Sequence, residues 1–170
     1  MDPEKIIDSL ERFGRLLPGV VDGVSEADAR WKPTPQDWSV LEVVAHLADE
    51  EELDFRPRIE WVLNQNEGPW PPIDPEGWAV AKRYNEGSLA EALDRFVNQR
   101  VESIAWLRSL DAVDWDLAYQ HPEYGPIRAG DLLGSWSCHD QLHLRQITKR
   151  LYQLAARDAE PYTVLYAGQW

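Results

Sequence analysis

The chain has 170 residues, 44% of them hydrophobic, and this length and composition suit one globular domain. A formal net charge of −13 argues against a nucleic-acid partner, because phosphate binding needs a concentrated basic surface. The single cysteine excludes an internal disulfide and fits a reducing compartment. No apolar run approaches the roughly 18–20 residues that span a bilayer. We therefore expect a cytoplasmic protein that binds a small molecule, and neither nucleic acid nor membrane.

The first predicted helix runs from Pro3 to about Leu17, where apolar residues recur at helical spacing. Pro18-Gly19 is predicted to end it. The segment from Trp31 to Pro35 contains two prolines, which favour an extended loop.

The second predicted helix begins after Ser39. Ser39 and Glu42 form a capping-box pattern, and apolar periodicity starts at once. The pattern continues to about Asn66. Pro57 removes one backbone hydrogen bond inside it, so we expect a bend near Leu53–Asp54.

The apolar periodicity in the second half of the chain predicts two more long helices. A proline-rich loop and a short helical segment lead to the third long helix, and an irregular segment with a small hairpin leads to the fourth. In order, these are residues 68–75, 76–84, 88–110, 111–130 and 129–156. Four long helices with long connections predict an all-α four-helix bundle with crossover connections. We expect a single domain over residues 1–170, with its core at about 4–155 and residues 156–170 packing on it.

The fourth predicted helix carries two histidines four residues apart, His139 and His143. This spacing places both side chains on one helical face. They lie on an apolar stripe that also contains Leu132, Trp136, Ile147 and Leu151. An imidazole on a buried face needs a hydrogen-bond partner or a metal ion.

A third histidine, His46, lies on the apolar stripe of the second helix. Together with His139 and His143 it supplies three nitrogen ligands and leaves an open position, an arrangement typical of catalytic metal sites. Imidazole suits Zn, Ni, Fe or Cu. The alternative is a set of hydrogen-bonded core histidines without a metal.

Acidic residues follow His46 on the same helix. Glu50 or Asp49 could orient an imidazole, complete the coordination or act as a base. Glu51 and Glu52 are predicted to form a solvated acidic face.

Four other polar residues receive a lower rank as site residues. Asp140 and Gln146 flank the histidine pair and are candidates for orienting it. Cys138 is predicted to be a small buried residue and not a nucleophile, because no basic group lies beside it. His121 lies in a loop rich in proline and glycine and is predicted to be on the surface.

Several spaced motifs together resemble the DinB-like (YfiT-like) metalloprotein family. They are Trp31-Lys32-Pro33, Trp38 to Glu51, Trp78, Tyr84 to Leu89, His121 to Gly125 and His139 to Ile147. The resemblance covers about residues 4–155. It implies a four-helix bundle with long crossovers, a nickel or zinc site at His46, His139 and His143, and a homodimer. It also implies use of a low-molecular-weight thiol, such as bacillithiol or mycothiol, in the characterised members.

Two hypotheses of function follow from these observations. The first is a metal-dependent enzyme in which the ion activates a low-molecular-weight thiol or water, as in a thiol S-transferase or a hydrolase. Thiol transfer is the preferred reaction and hydrolysis its variant. The second is a non-catalytic, dimeric stress-response module in which the ion is structural.

Overall fold

A computed structural model describes residues 1–70, 72–168 and 170, and in this part of the chain four long helical segments form a bundle. The elements are α1 (Pro3–Val21), α2 (Glu26–Ala29), α3 (Val40–Leu53), α4 (Phe55–Leu63), α5 (Pro75–Ala81), α6 (Leu89–Ser109), β1 (Ala118–His121), β2 (Gly125–Arg128) and α7 (Ala129–Asp158). Single 3₁₀ turns lie at Tyr84–Glu86 and Leu165–Ala167. The four segments are α1, α3 with α4, α6 and α7. The prediction of an all-α four-helix bundle is confirmed.

Helix α1 is longer than predicted. It continues through Pro18 to Val21, so the prediction that Pro18-Gly19 ends the helix is wrong. A proline in a helix removes one backbone hydrogen bond and crowds one carbonyl. Burial on both sides of the defect offsets that loss, because Leu17 and Val21 are 0% and 3% exposed.

The second bundle segment breaks where predicted. Helix α3 ends at Leu53 and α4 begins at Phe55. Pro57 lacks the N–H that would continue the α3 hydrogen-bond ladder. Both bonds of the predicted capping box are present, from the Glu42 N–H to Ser39 Oγ at 3.1 Å and from the Ser39 N–H to Glu42 Oε2 at 2.8 Å.

The connections contain short ordered elements. The β1 and β2 strands pair antiparallel and form the predicted hairpin. Helix α2 was not predicted, although Ser25 caps it by accepting from the Asp28 N–H at 3.1 Å. At the start of α6, Ser88 accepts from the Glu91 N–H at 3.5 Å, while Glu26 of α2 accepts from the Leu89 N–H at 3.0 Å. The connection therefore ties α2 to the start of α6.

The bundle core has two apolar halves. One half packs around Phe13, Val44, Leu47, Phe96 and Ile147. The other packs around Leu10, Ile59, Leu107, Leu133 and Trp136. Each of the four segments contributes to both halves.

A polar layer lies between the two halves. Arg100 of α6 donates to Glu51 of α3 at 2.6 and 2.9 Å, to Asp140 of α7 at 2.7 and 2.9 Å, and to the Leu10 carbonyl of α1 at 2.8 Å. The Trp136 indole donates to Glu51 at 2.9 Å. Burial disfavours the charged guanidinium, but the two carboxylates outweigh burial and raise the pKa of Arg100. One side chain therefore joins all four segments.

The prediction of a solvated acidic face is wrong for Glu51 and incomplete for Glu52. Glu51 is 1% exposed inside the polar layer. Glu52 is half-buried and accepts from Arg95 of α6 at 2.9 and 3.0 Å. Both carboxylates have arginine partners on another helix, which explains their burial.

The C-terminal segment touches α7 at Tyr152, whose ring centroid lies 5.6 Å from that of Trp170. Its Tyr162, Leu165 and Tyr166 side chains are exposed. Among the helices of the described ranges, none combines the length and the apolar character that crossing a membrane requires.

Candidate metal centre

Three histidines from two bundle segments meet at one point. His46 of α3 and His139 and His143 of α7 direct their Nε2 atoms at each other. The Nε2–Nε2 distances are 3.3 Å for His46–His139, 3.1 Å for His46–His143 and 3.0 Å for His139–His143. The structure therefore brings together the three residues that the sequence singled out.

The triangle of nitrogens has the size that a transition-metal ion requires. An ion about 2.0–2.1 Å from each nitrogen, with angles between octahedral and tetrahedral, separates its ligand atoms by about 2.8–3.4 Å. All three distances fall within that range. Three ligands on one side leave coordination positions on the other side, as in catalytic sites.

The environment keeps the three imidazoles neutral, which is the form that binds metal. Burial and the neighbouring His143 lower the pKa of His46 to about 3. Burial, with His143 and His46 nearby, lowers the pKa of His139 to about 3. Burial also lowers the pKa of His143, against a hydrogen bond to Gln146 that raises it.

Gln146 fixes the orientation of His143. The Nδ1 atom of His143 lies 2.8 Å from Gln146 Oε1. A carbonyl oxygen only accepts, so His143 Nδ1 carries the proton and Nε2 presents its lone pair to the other two rings. The prediction that Gln146 orients a histidine agrees with this contact. Within the described residues, the Nδ1 atoms of His46 and His139 are buried without a hydrogen-bond partner.

Glu50 lies beside the histidine cluster. Its Oε1 atom is 3.5 Å from His46 Nδ1, and the residue is 3% exposed. Burial, reinforced by the Asp54 carboxyl, raises the pKa of Glu50 to about 9. Oε1 has no hydrogen-bond partner in the described part of the chain. Glu50 is thus placed either to orient His46 or to exchange a proton with a bound molecule.

The other two acidic candidates contact residues outside the cluster. Asp49 accepts from Lys82 at 2.5 Å and also from Tyr84 and Arg95, so it joins α3 to the α5 region and to α6. Asp140 binds Arg100, and burial raises its pKa to about 6. Both act on helix packing, because neither contacts an imidazole of the cluster in the described residues.

Cys138 and His121 lie away from the cluster. The prediction that Cys138 is buried is wrong, because it is exposed. One residue from His139 on a helix is about 100° around the axis, which here turns the side chain to the surface. His121 lies at the end of β1, half-buried, with its ring stacked 4.7 Å from that of Tyr124.

The histidine cluster forms part of the wall of an open cavity of about 810 Å³. Trp38 and Phe55 line it near the histidines. Residues 73–76, from the proline-rich loop and the start of α5, form another part of its wall. Sequence reasoning missed this wall, because loop residues show no periodicity that would place them. A second cavity, of about 440 Å³ between α1 and α6, contains none of the three histidines.

Comparison with known proteins identifies the family. The model of the DinB superfamily matches residues 9–147. The chain belongs to the DinB superfamily. This confirms the resemblance found in the sequence.

Two known proteins are similar to this chain. A protein of Oceanobacillus iheyensis named "Putative metal-dependent hydrolase" is 28% identical over 147 residues, which cover 84% of this chain and 81% of that protein. The solved structure of YfiT from Bacillus subtilis matches with a TM-score of 0.79 and 22% identity, over 90% of this chain and 87% of the other. YfiT is described as "a probable metal-dependent hydrolase with an unusual four-helix bundle topology". At that identity the match establishes the fold.

Proposed function

We propose that this DinB protein is a metal-dependent enzyme that binds a divalent ion through His46, His139 and His143. The observation that carries the proposal is the set of three Nε2 atoms, 3.0–3.3 Å apart, in the wall of an open cavity. Nickel and zinc are the proposed ions, because imidazole nitrogen suits both. The relatives named as metal-dependent hydrolases support this proposal.

The ion supplies the activation chemistry: a coordinated divalent metal lowers the pKa of water toward about 7 and deprotonates a thiol. The protein supplies orientation. Gln146 holds His143 by its Nδ1–H, and Glu50 is placed to orient His46 or to exchange a proton with a bound molecule. Trp38 and Phe55 form part of the cavity wall.

Hydrolysis of a small molecule is the reaction that the relatives' names support. Transfer of a low-molecular-weight thiol to an electrophile is the second candidate. Its support is the cavity volume of about 810 Å³, which has room for a thiol and a second small substrate together. Both reactions use the same open side of the three nitrogens.

The alternative is a non-catalytic protein in which the ion stabilises the bundle. The open cavity beside the histidines favours catalysis, since a structural site is normally closed by four protein ligands. Formation of a homodimer and a cytoplasmic location stay predictions.

The test begins with metal analysis of the purified protein, then turnover. The metal-loaded protein is assayed with a panel of esters and amides, and separately with bacillithiol, mycothiol or glutathione plus a generic electrophile. We expect turnover that His143→Ala abolishes and His121→Ala leaves intact. Metal binding without turnover, together with a large fall in melting temperature when His139→Ala removes the metal, would support the structural alternative.

A further inference from the structure

The ionisable side chains that line the cavity are all acidic, apart from the three histidines. Five carboxyl groups line it, and no lysine or arginine among the described residues does; the five are Asp37, Glu50, Asp54, Asp74 and Glu76. A substrate that occupies the cavity therefore lies near carboxyl groups.

Two of the five carboxylates form ion pairs with arginines that do not line the cavity. Asp37 lies 3.0 Å from an Arg150 nitrogen, and Asp54 lies 2.5 Å from an Arg58 nitrogen. These pairs contribute little net charge to the cavity, because each carboxylate has a cation in contact.

The remaining carboxyl groups face the cavity without such partners. Asp74 and Glu76 are exposed, and within residues 1–70, 72–168 and 170 neither forms an ion pair. Asp74 accepts one backbone hydrogen bond from Gly77 at 2.9 Å. Glu50, 3% exposed, has its Oε1 atom unpartnered in those same ranges and lines the cavity floor. A buried acceptor without a partner in the wall of a cavity can accept a hydrogen bond from a donor on the bound molecule.

We propose that this cavity selects a small substrate bearing a positive charge, such as an alkylammonium group, and disfavours anionic substrates. The inference rests on the proposed metal-dependent function and names its substrate class. The fixed negative charges raise the local concentration of cations and lower that of anions. The Trp38 and Phe55 rings line the same space, and aromatic faces also attract cations. Among low-molecular-weight thiols, those without carboxylates therefore fit this cavity better than those that carry them.

The experiment uses three thiols that differ in charge and coordinate metal through sulfur only. They are thiocholine, 2-mercaptoethanol and 2-mercaptoethanesulfonate. The protein is loaded with cobalt(II), and each thiol is titrated while the sulfur-to-cobalt absorption band is recorded. We expect thiocholine to bind about tenfold more tightly than the sulfonate, with the neutral thiol between them.

The matched variants change the charge by the same amount in two places. The rim variant combines Asp74→Asn with Glu76→Gln and removes two charges beside the cavity. Asparagine caps helices as well as aspartate does, so the N-terminus of α5 keeps its cap. Asp22→Asn with Glu123→Gln removes two exposed charges that do not line the cavity. We expect the rim variant to reduce the thiocholine preference about fivefold and the control variant to preserve it. The acidity of each thiol is the same in every variant, so the change in preference reports the protein charge.

The possible outcomes separate a failure of the charge selection from a failure of the metal site. An unchanged preference in the rim variant, tighter binding of the sulfonate, or no thiol band on a protein that holds cobalt would overturn the charge selection. Absence of a histidine-dependent cobalt spectrum would contradict the metal site itself, and so the proposed function.

Discussion

Arg100 and Asp140 form two parallel hydrogen bonds, at 2.7 and 2.9 Å, in the middle of the bundle. Asp140 is adjacent to His139 in the chain, and the other partner of Arg100, Glu51, is adjacent to Glu50. The layer that joins the helices is therefore attached to both helices that carry the histidines.

Arg100→Met is expected to lower the free energy of unfolding by about 3–5 kcal/mol, because it leaves two buried carboxylates without their cation. Urea unfolding measures this value. Arg108→Ala, which removes an exposed arginine from the same helix, is the control and is expected to change stability little. Equal effects of the two variants would show that the polar layer does not hold the helices together.

Gln146→Ala is expected to weaken metal binding about 10–100-fold without abolishing it, because His143 loses the hydrogen bond that fixes its tautomer. Competition with a metal-binding dye measures the affinity. Gln141→Ala, on the exposed side of the same helix, should bind metal like the unmodified protein. An unchanged affinity of Gln146→Ala would mean that packing alone orients His143.

Acid should destabilise the metal-free protein through its histidines. The pKa values of His46 and His139 are about 3 in the folded protein and about 6.5 unfolded. Below pH 6.5 the unfolded chain binds more protons than the folded one, so stability falls with falling pH, by about 2 kcal/mol per histidine between pH 6.5 and 5. Urea unfolding in EDTA at both pH values tests this. His139→Gln should show a smaller loss than the unmodified protein.

Alkali should destabilise the metal-free protein through Glu50. Its folded pKa, about 9, lies above the unfolded value of 4.5. The contribution of Glu50 to the free energy of unfolding is therefore fully present below pH 4.5 and is lost as the pH rises toward 9. Between pH 7 and 9, where the histidines are neutral in both states, the loss should be about 1–3 kcal/mol. Urea unfolding should show that Glu50→Gln removes this loss; the same slope in both proteins would contradict the assignment.

Cys138 should react with a thiol reagent in the folded, metal-loaded protein, because it is exposed. The rate is measured by absorbance, and the bound metal by elemental analysis of the modified protein. Cys138→Ser should not react and should bind metal normally. Slow labelling that needs a denaturant would contradict the exposed position.

The histidine cluster could be predicted because helical spacing fixes which side chains share a face. His139 and His143 share a face through their spacing alone, and the apolar stripe around His46 places it inside. The burial of Glu51 could not be predicted, because its partner Arg100 is 49 residues away. Local periodicity carries no information about a cation on another helix, and the acidic run after His46 therefore resembles a surface.

The helix boundaries also divide into those set by the local sequence and those set by contacts with other helices. The break at Leu53–Asp54 followed from Pro57, whose missing N–H acts locally. The continuation of α1 through Pro18 depends on the burial of Leu17 and Val21 against other helices, which no local rule contains. The cavity wall at residues 73–76 depends on how a loop folds over the bundle.

The separation of His46 from its two partners by 93 and 97 residues has a consequence during synthesis. At about 5–20 residues per second, a ribosome needs roughly 5–20 s to pass from the first histidine to the last. Until residue 139 has been made, the emerging polypeptide contains only one of the three cluster histidines, His46, and a single imidazole holds a divalent ion weakly. Tight capture of the ion therefore waits until α7 has been made and has packed against α3.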